Sequence, residues 1–142
     1  MRIRDATPDD AARLAELLAE LGYPDDIERV RARVRALVDD PSSFVLVVES
    51  DGMLTGLASA SVIPLLHEDA SWCRLSALVV AEDRRREGIG RALVEAVGAR
   101  ARQRGCRYLE VTSGERPGRE AAHAFYATLG LAEVSRRYLG EL

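Results

Sequence analysis

The stretch from Leu78 to Leu93 constrains the fold of this chain more than any other. It reads as the end of a buried apolar strand, a short arginine-rich turn, two glycines and the opening of a helix. The spacing of four between Ile89, Leu93 and Val97 keeps these apolar side chains on one helix face. A helix N-terminus presents free backbone N–H groups and a partial positive charge. The stretch therefore predicts a phosphate-binding turn between a strand and a helix.

The residue types within the turn suit a pyrophosphate. Gly88 and Gly90 lack side chains, so an anion can lie against the backbone there. Arginines add fixed charge and paired N–H donors, and they are Arg84, Arg85, Arg86 and Arg91. Two common phosphate motifs are excluded. A Rossmann turn needs glycine where Leu93 stands, and a P-loop needs a lysine, of which this chain has none.

The pattern Arg85-x-x-Gly88-x-Gly90 resembles the acetyl-CoA binding signature of the GNAT superfamily of N-acetyltransferases, which reads Gln/Arg-x-x-Gly-x-Gly/Ala. The resemblance implies that acetyl-CoA is bound as co-substrate by this turn and by the strand before it. The positions that it assigns to cofactor contact are Leu78, Val79, Val80, Arg85, Arg86, Glu87, Gly88, Ile89, Gly90 and Arg91.

The resemblance also implies how the pantetheine arm is held. In the family, strands four and five splay apart, and the arm binds the fourth strand as another strand would, here through the backbone of Leu78 and Val80. Many members add an asparagine at the start of the last helix. The corresponding stretch here has none, so Arg119 or Ser113 would have to replace it.

The other elements follow the order of the same family, β-α-α-β-β-β-α-β-α-β. The expected architecture is an α/β (α+β) GNAT fold, with a mixed sheet of about six or seven strands and about four helices. Strands are predicted at 1–4, 44–49, 57–63, 72–80 and 107–112, with one or two closing strands within 131–142. Helices are predicted within 7–22, 24–41, 89–105 and 118–129.

Length and composition bound the class of protein. The 142 residues suffice for one domain with its own core, and we expect 1–142 to form it. Apolar residues make up 47% and charged residues 30%, and a net charge of −3 gives no reason to expect nucleic acid. Without a secretory or membrane-spanning apolar run, we expect a cytoplasmic protein with no membrane partner. Cys73 and Cys106 lack ligand-like spacing, which predicts buried free thiols and no metal site.

A second segment supports the resemblance. Residues 122–131 are similar to the family's Ala-x-x-Phe-Tyr-x-x-x-Gly-Phe segment, with Leu131 where phenylalanine is usual. Tyr126 then corresponds to the tyrosine that serves as general acid in many members, whose hydroxyl stabilises or protonates the departing CoA thiolate. The alternative is that Tyr126 only packs beside Phe125 on an apolar helix face. His123 is better read as an ordinary polar residue of the helix surface.

The fourth strand departs from the family pattern. Many relatives carry a glutamate there that takes the proton of the amine, but the alternating positions here are Trp72, Arg74 and Ser76. Three routes remain open for this proton: a loop carboxylate, Glu68 or Asp69; a water relayed by Ser76; or an amine that arrives already deprotonated.

Two groups of charged residues favour different classes of acceptor. Arg74 could hold a substrate carboxylate, which favours an amino acid or a small acidic amine. Acidic residues in loops expected to rim the pocket favour a cationic amine, such as an aminoglycoside or a polyamine, and they are Asp25, Asp26, Glu68 and Asp69. The sequence leaves both open.

These residues together predict an N-acetyltransferase that transfers acetyl from acetyl-CoA to a primary amine of a small molecule, by direct attack in a ternary complex. No covalent intermediate is required, since neither cysteine lies in a motif with histidine. The alternative is a non-catalytic CoA-binding sensor or regulatory module of the same fold. A third hypothesis is a domain that uses the turn for another phosphate. Dimers are common in the family, and the C-terminal strands could contribute to a homodimer.

Overall fold

The computed structural model describes residues 1–112 and 118–142. They fall into two compact units, one over Met1–Thr112 and the other over the described part of 113–142. The sheet and three helices lie in the first unit, and the second contains one helix, α4, at Glu120–Thr128. Ser113, a candidate pantetheine contact, lies outside the described residues. The single domain over 1–142 stays a prediction.

The first unit is a mixed sheet with helices on both faces. Its strands are β1 Arg2–Asp5, β2 Ser43–Ser50, β3 Met53–Ile63, β4 Ser71–Val80 and β5 Cys106–Val111. Its helices are α1 Ala11–Leu21, α2 Ile27–Asp39 and α3 Ile89–Gln103. The strands lie side by side in chain order, antiparallel except for the parallel pair β4–β5. The predicted α/β class with four helices is confirmed within the described residues.

The apolar periodicity of the helices decides which face each covers. Leu14 and Leu17 of α1 and Val30 of α2 are buried in one cluster with Val47 of β2. On the opposite face, the spacing predicted for α3 is confirmed, because Ile89, Leu93 and Val97 are all buried. Gly56 of β3 lets α3 approach closely, since an added Cβ would lie 3.0 Å from Ile89 and 3.1 Å from Leu93.

The predicted number of strands is wrong. In the described residues the sheet has five strands, and 131–142 carries none of the one or two closing strands that we expected. A strand needs a neighbour for its backbone groups, and this segment pairs with no strand in the part of the chain that the structure describes. Its large side chains are exposed instead, with exposed fractions of 86% for Val134 and 87% for Tyr138.

Both cysteines are free thiols. Cys73 is buried and Cys106 partly buried, and burial raises the pKa of the Cys73 thiol to about 11. A thiol with so high a pKa stays protonated and unreactive at neutral pH, so its role is packing. Among the described residues no helix is both long and apolar enough to cross a membrane, and no group of metal-ligating side chains could hold an ion.

One ion-pair network fastens the start of the chain to the sheet. Both terminal nitrogens of Arg4 donate to Asp10, at 2.8 and 2.9 Å, and Arg4 also donates to Glu49 of β2 at 2.9 Å. Asp10 in addition accepts the backbone N–H of Thr7 at 2.8 Å, which caps the turn before α1. The hydrogen bonds from Arg4, followed by that from Thr7, hold the pKa of Asp10 below its usual value.

We therefore expect Asp10→Asn to lower the free energy of unfolding by about 2 kcal/mol at pH 7, since charge-assisted hydrogen bonds are lost. The pKa of Asp10 is lower in the folded state, so its contribution is present above the unfolded pKa and is lost as the pH falls through the folded pKa. Urea unfolding at pH 7 and at pH 3 measures this difference. Asp9→Asn, at an exposed neighbouring position, is the control, and equal losses in the two variants would contradict the expectation.

Candidate active site

The predicted strand–turn–helix is confirmed, and its backbone conformation presents N–H groups that can bind an anion. Gly88 is the N-cap of α3 and has φ +82°, and Arg86 before it has φ +67°. A residue other than glycine seldom adopts a positive φ, and successive N–H groups in such a turn form a concave anion site. The first backbone hydrogen bond of α3 runs from Ala92 to Gly88 at 3.0 Å. The N–H groups of Ile89, Gly90 and Arg91 precede it and have no acceptor within the helix.

The four arginines of the turn have different partners. Arg84 is paired with Glu87 at 3.0 Å and with Asp51 at 3.3 Å, so it braces the turn. The Nε of Arg85 lies 3.4 Å from the carbonyl oxygen of Val80. Arg86 and Arg91 are exposed, and neither has an ion pair or side-chain hydrogen bond among the described residues. Since Arg85 has no anionic partner among the described residues either, the cations available to a ligand phosphate are Arg85, Arg86 and Arg91.

β4 has an open edge beside this turn. Its pairing with β5 ends at Leu75 and Val111, whereas its pairing with β3 continues to Val80. Over residues 76–80 the backbone groups on the β5 side therefore lack a partner strand in the described residues. The pantetheine arm requires such an edge, so the predicted contacts of Leu78 and Val80 are geometrically available. Two other predicted contacts, Val79 and Ile89, have buried side chains and can offer only backbone groups.

A β-bulge lies where the open edge begins. Ala60 pairs with Leu75 but Ser59 pairs with Ala77, so Ser76 is the extra residue in β4. Its hydroxyl donates to the carbonyl oxygen of Ser59 at 3.1 Å. Ser76 remains exposed, and its predicted role as a proton relay stays a prediction.

The sheet face on the side of α1 and α2 carries polar and aromatic groups near this edge. The register places Trp72 beside Tyr108 and Arg74 beside Glu110 on that face. The two rings meet edge to face, with centroids 5.5 Å apart. The guanidinium of Arg74 donates from Nε to Oε1 of Glu110 at 3.1 Å, and its Nη2 lies 3.0 Å from the same oxygen in an ion pair. Arg74, our candidate for a substrate carboxylate, therefore already has an anionic partner.

Sequence reasoning missed Glu110. It reads locally as an ordinary polar position of a half-exposed strand, and only the parallel pairing of β4 with β5 sets it beside Arg74. The available signal was the alternation of Tyr108 and Glu110 along β5, opposite Trp72 and Arg74 on β4.

The loop acids fall into two groups. Glu68 and Asp69 line an open hollow with His67 and Arg107, and Oε2 of Glu68 lies 3.4 Å from the indole nitrogen of Trp72. Glu68 therefore adjoins the polar sheet face.

The other two loop acids, Asp25 and Asp26, stabilise the start of α2. Asp26 caps this helix by accepting the N–H of Glu28 at 2.8 Å. Asp25 is held by Arg33 at 2.7 Å, and that hydrogen bond lowers the pKa of Asp25. None of the described contacts of Asp25 involves Glu68, Arg74 or Ser76.

Tyr126 lies in the second unit, on α4. It is half-buried, and its ring centroid is 5.6 Å from that of Phe125. Burial raises the pKa of the Tyr126 phenol above its ordinary value of 10.0, although nearby Arg119 lowers it slightly. The phenol is therefore protonated at neutral pH, as a proton or hydrogen-bond donor must be. His123 is exposed on the same helix.

Comparison with known proteins finds acetyltransferases, in agreement with the resemblance in the sequence. The model of the acetyltransferase (GNAT) family matches residues 11–131. An aminoglycoside N(6')-acetyltransferase type 1 of Stenotrophomonas maltophilia is 32% identical over 140 residues, covering 94% of this chain and 88% of that protein.

Two solved structures share the fold along the whole chain. A GNAT family acetyltransferase of Staphylococcus aureus is 19% identical, with a TM-score of 0.83 and coverage of 99% of this chain and 98% of that one. An aminoglycoside N-acetyltransferase in complex with CoA is 18% identical, with a TM-score of 0.86 and coverage of 99% and 93%. These likenesses confirm the predicted fold.

We expect Arg91→Gln to weaken acetyl-CoA binding about tenfold, because one charge-assisted contact to phosphate is worth about 1.4 kcal/mol. Titration calorimetry with acetyl-CoA measures the affinity. Arg102→Gln removes the same charge from an exposed position at the other end of α3 and should leave the affinity unchanged. Equal affinities of the two variants would remove Arg91 from the phosphate site.

Proposed function

The chain belongs to the acetyltransferase (GNAT) family and is an acetyl-CoA-dependent N-acetyltransferase, and on that premise we propose that its acceptor is a cationic amine of the aminoglycoside type. The relative from Stenotrophomonas maltophilia supports the proposal, since it is an aminoglycoside N(6')-acetyltransferase. The observation that carries it is the ion pair between Arg74 and Glu110. The guanidinium of Arg74 already has an anionic partner in Glu110, which weakens the case for a substrate carboxylate there and supports a cationic acceptor.

In the proposed reaction, the acceptor lies on the polar face of β4 and β5, and acetyl-CoA lies along the open edge of β4. The neutral amine nitrogen attacks the acetyl carbonyl carbon, the C–N bond forms, and the C–S bond breaks to release CoA as a thiolate. The nitrogen gives up one proton as the amide forms, and this proton with the thiolate yields CoA as the free thiol. The turn would hold the pyrophosphate through the N–H groups that open α3 and through Arg86 and Arg91.

Tyr126 is proposed to donate to the departing sulfur. Its pKa lies above 10.0, whereas an ordinary thiol has a pKa of about 8.5, so full proton transfer to the thiolate is uphill. A hydrogen bond from the phenol to the developing thiolate is accordingly the larger part of its contribution. Glu68, or a water held by Ser76, remains the proposed recipient of the ammonium proton.

The wider setting is also a proposal. The family match spans 11–131 and thus both compact units, which supports a single domain. A homodimer is supported by the exposed side chains of Val134 and Leu139, which a second copy could cover. Sedimentation velocity at micromolar concentration tests for the dimer. The cytoplasmic location stays a prediction.

The acceptor class is tested by steady-state kinetics with acetyl-CoA and a panel of amines. We expect kcat/KM for an aminoglycoside with a 6'-amino group to exceed that for acidic and zwitterionic amino acids by ~10²-fold or more, because several ammonium groups meet acidic side chains. Spermine, a polycation without the aminoglycoside framework, and a neutral monoamine show whether the charge or the shape of the acceptor determines kcat/KM. A preference for the acidic amines would contradict the proposal.

The role of Tyr126 is tested by Tyr126→Phe. Turnover should fall ~10²-fold while the affinity for acetyl-CoA barely changes, because the hydroxyl acts on charge that develops only in the transition state. Tyr138→Phe removes a hydroxyl from an exposed position in the same unit and is the matched control. Unchanged turnover in Tyr126→Phe would exclude the phenol from the reaction.

A further inference from the structure

Glu110 lies at the point where β4 and β5 part. The two strands are paired at Arg74 and Glu110 and at Leu75 and Val111, and no later pair follows. β5 ends at Val111, while β4 continues past the bulge at Ser76. The carboxylate of Glu110 is thus on the last rung but one before the open edge.

The face that carries Glu110 follows from the register. Leu57 of β3 is buried among the side chains of α1 and α2, and Ser61, four residues later in the same strand, has the same orientation. Ser61 pairs with Arg74, and Arg74 pairs with Glu110, so both charged side chains share that face. The helices do not cover it here, because the side chain of Arg74 remains 47% exposed and that of Glu110 28% exposed.

The ion pair uses only one oxygen of the carboxylate. Nε of Arg74 donates to Oε1 and Nη2 lies closest to the same oxygen, while Oε2 accepts no hydrogen bond from the described residues. A carboxylate oxygen can accept more than one hydrogen bond, so Oε2 is an oriented and open acceptor. Had the pair served only to join the strands, the two-pronged guanidinium would favour bonds to both oxygens.

The surroundings of Oε2 suit an ammonium group. Trp72 and Tyr108 form an aromatic pair one step back along the same two strands. Glu68 contacts the indole of Trp72, and the guanidinium of Arg107 lies 5.2 Å from the Tyr108 ring centroid. An ammonium group beside aromatic rings and an open carboxylate oxygen is stabilised by both.

Resting on the proposed function, we propose that Glu110 is a specificity-determining residue that binds an ammonium group of the acceptor through Oε2. Arg74 is its partner in the ion pair and contacts Oε1, so that Oε2 stays available to the ammonium group. The same arrangement disfavours acidic amines, whose carboxylate would meet that of Glu110.

Two variants of the one ion pair separate binding from a structural link. Glu110→Gln keeps the shape but removes the carboxylate, and we expect its KM for the 6'-amino aminoglycoside to rise at least tenfold, with kcat changed less than threefold. Arg74→Gln breaks the same pair yet leaves the carboxylate, so its KM should rise less than threefold. The midpoint of thermal unfolding and the affinity for acetyl-CoA should be the same in the two variants.

The outcomes distinguish the inference from the function on which it rests. A wild-type protein that acetylates the aminoglycoside, with an unchanged KM in Glu110→Gln or equal rises in KM in both variants, would overturn the role of Glu110 alone. A wild-type protein that acetylates no cationic amine would overturn both. Loss of the salt dependence of KM in Glu110→Gln but not in Arg74→Gln would support the proposal further, since screening acts on the ammonium–carboxylate contact.

Discussion

The candidate site depends on one missing set of hydrogen bonds, those that β4 would form with β5 beyond Leu75. A sheet interior normally pairs both edges of each strand, and leaving one edge open costs hydrogen-bonding capacity unless another group fills it. The bulge at Ser76 shifts the register with β3 at the same place, which bends and twists β4 locally. An open edge next to a helix N-terminus provides backbone donors and acceptors for an extended arm and N–H groups for a phosphate. The ligand class thus follows from main-chain geometry, with side chains as additions.

The arginines of the phosphate turn have two different roles: some stabilise the turn and others are available to a ligand. Arg84 is committed to Glu87 and Asp51, and this bracing holds the backbone around Arg86 at a positive φ. Arg85, Arg86 and Arg91 have no anionic partner among the described residues, and together with the helix N–H groups they suffice for a pyrophosphate. A run of arginines in sequence therefore is not a run of equivalent ligands. Their partners, which come from a distant hairpin and from the turn itself, decide which of them meet solvent and anion.

Local patterns predicted most of this fold. The spacing of Ile89, Leu93 and Val97 identified a buried helix face, and the glycines identified the turn before it. What depended on pairing between distant segments was not predictable. The contact of Arg74 with Glu110 spans 36 residues and requires the parallel register of β4 and β5. The closing strands expected within 131–142 are absent for a related reason, because a strand requires a neighbour and this segment pairs with none in the described residues. Asp25 and Asp26 were read as pocket acids, because sequence alone does not distinguish a helix cap from a binding carboxylate.

The parting of the strands and the charge of the acceptor face are connected through the same two residues. Where β4 leaves β5, no backbone hydrogen bonds hold the edges together, and a cross-strand ion pair just before that point supplies a link between them. A half-exposed ion pair contributes little to stability, so the link alone gives no strong reason for charged rather than apolar side chains at this position. Placing the guanidinium on one oxygen of Glu110 does give a reason, because it leaves a fixed negative acceptor next to where the thioester would lie. An amine held there as an ammonium must lose its proton before it attacks, so binding and deprotonation are necessarily sequential. Glu68, which contacts Trp72 on the same face, is the additional carboxylate that we propose for the second step.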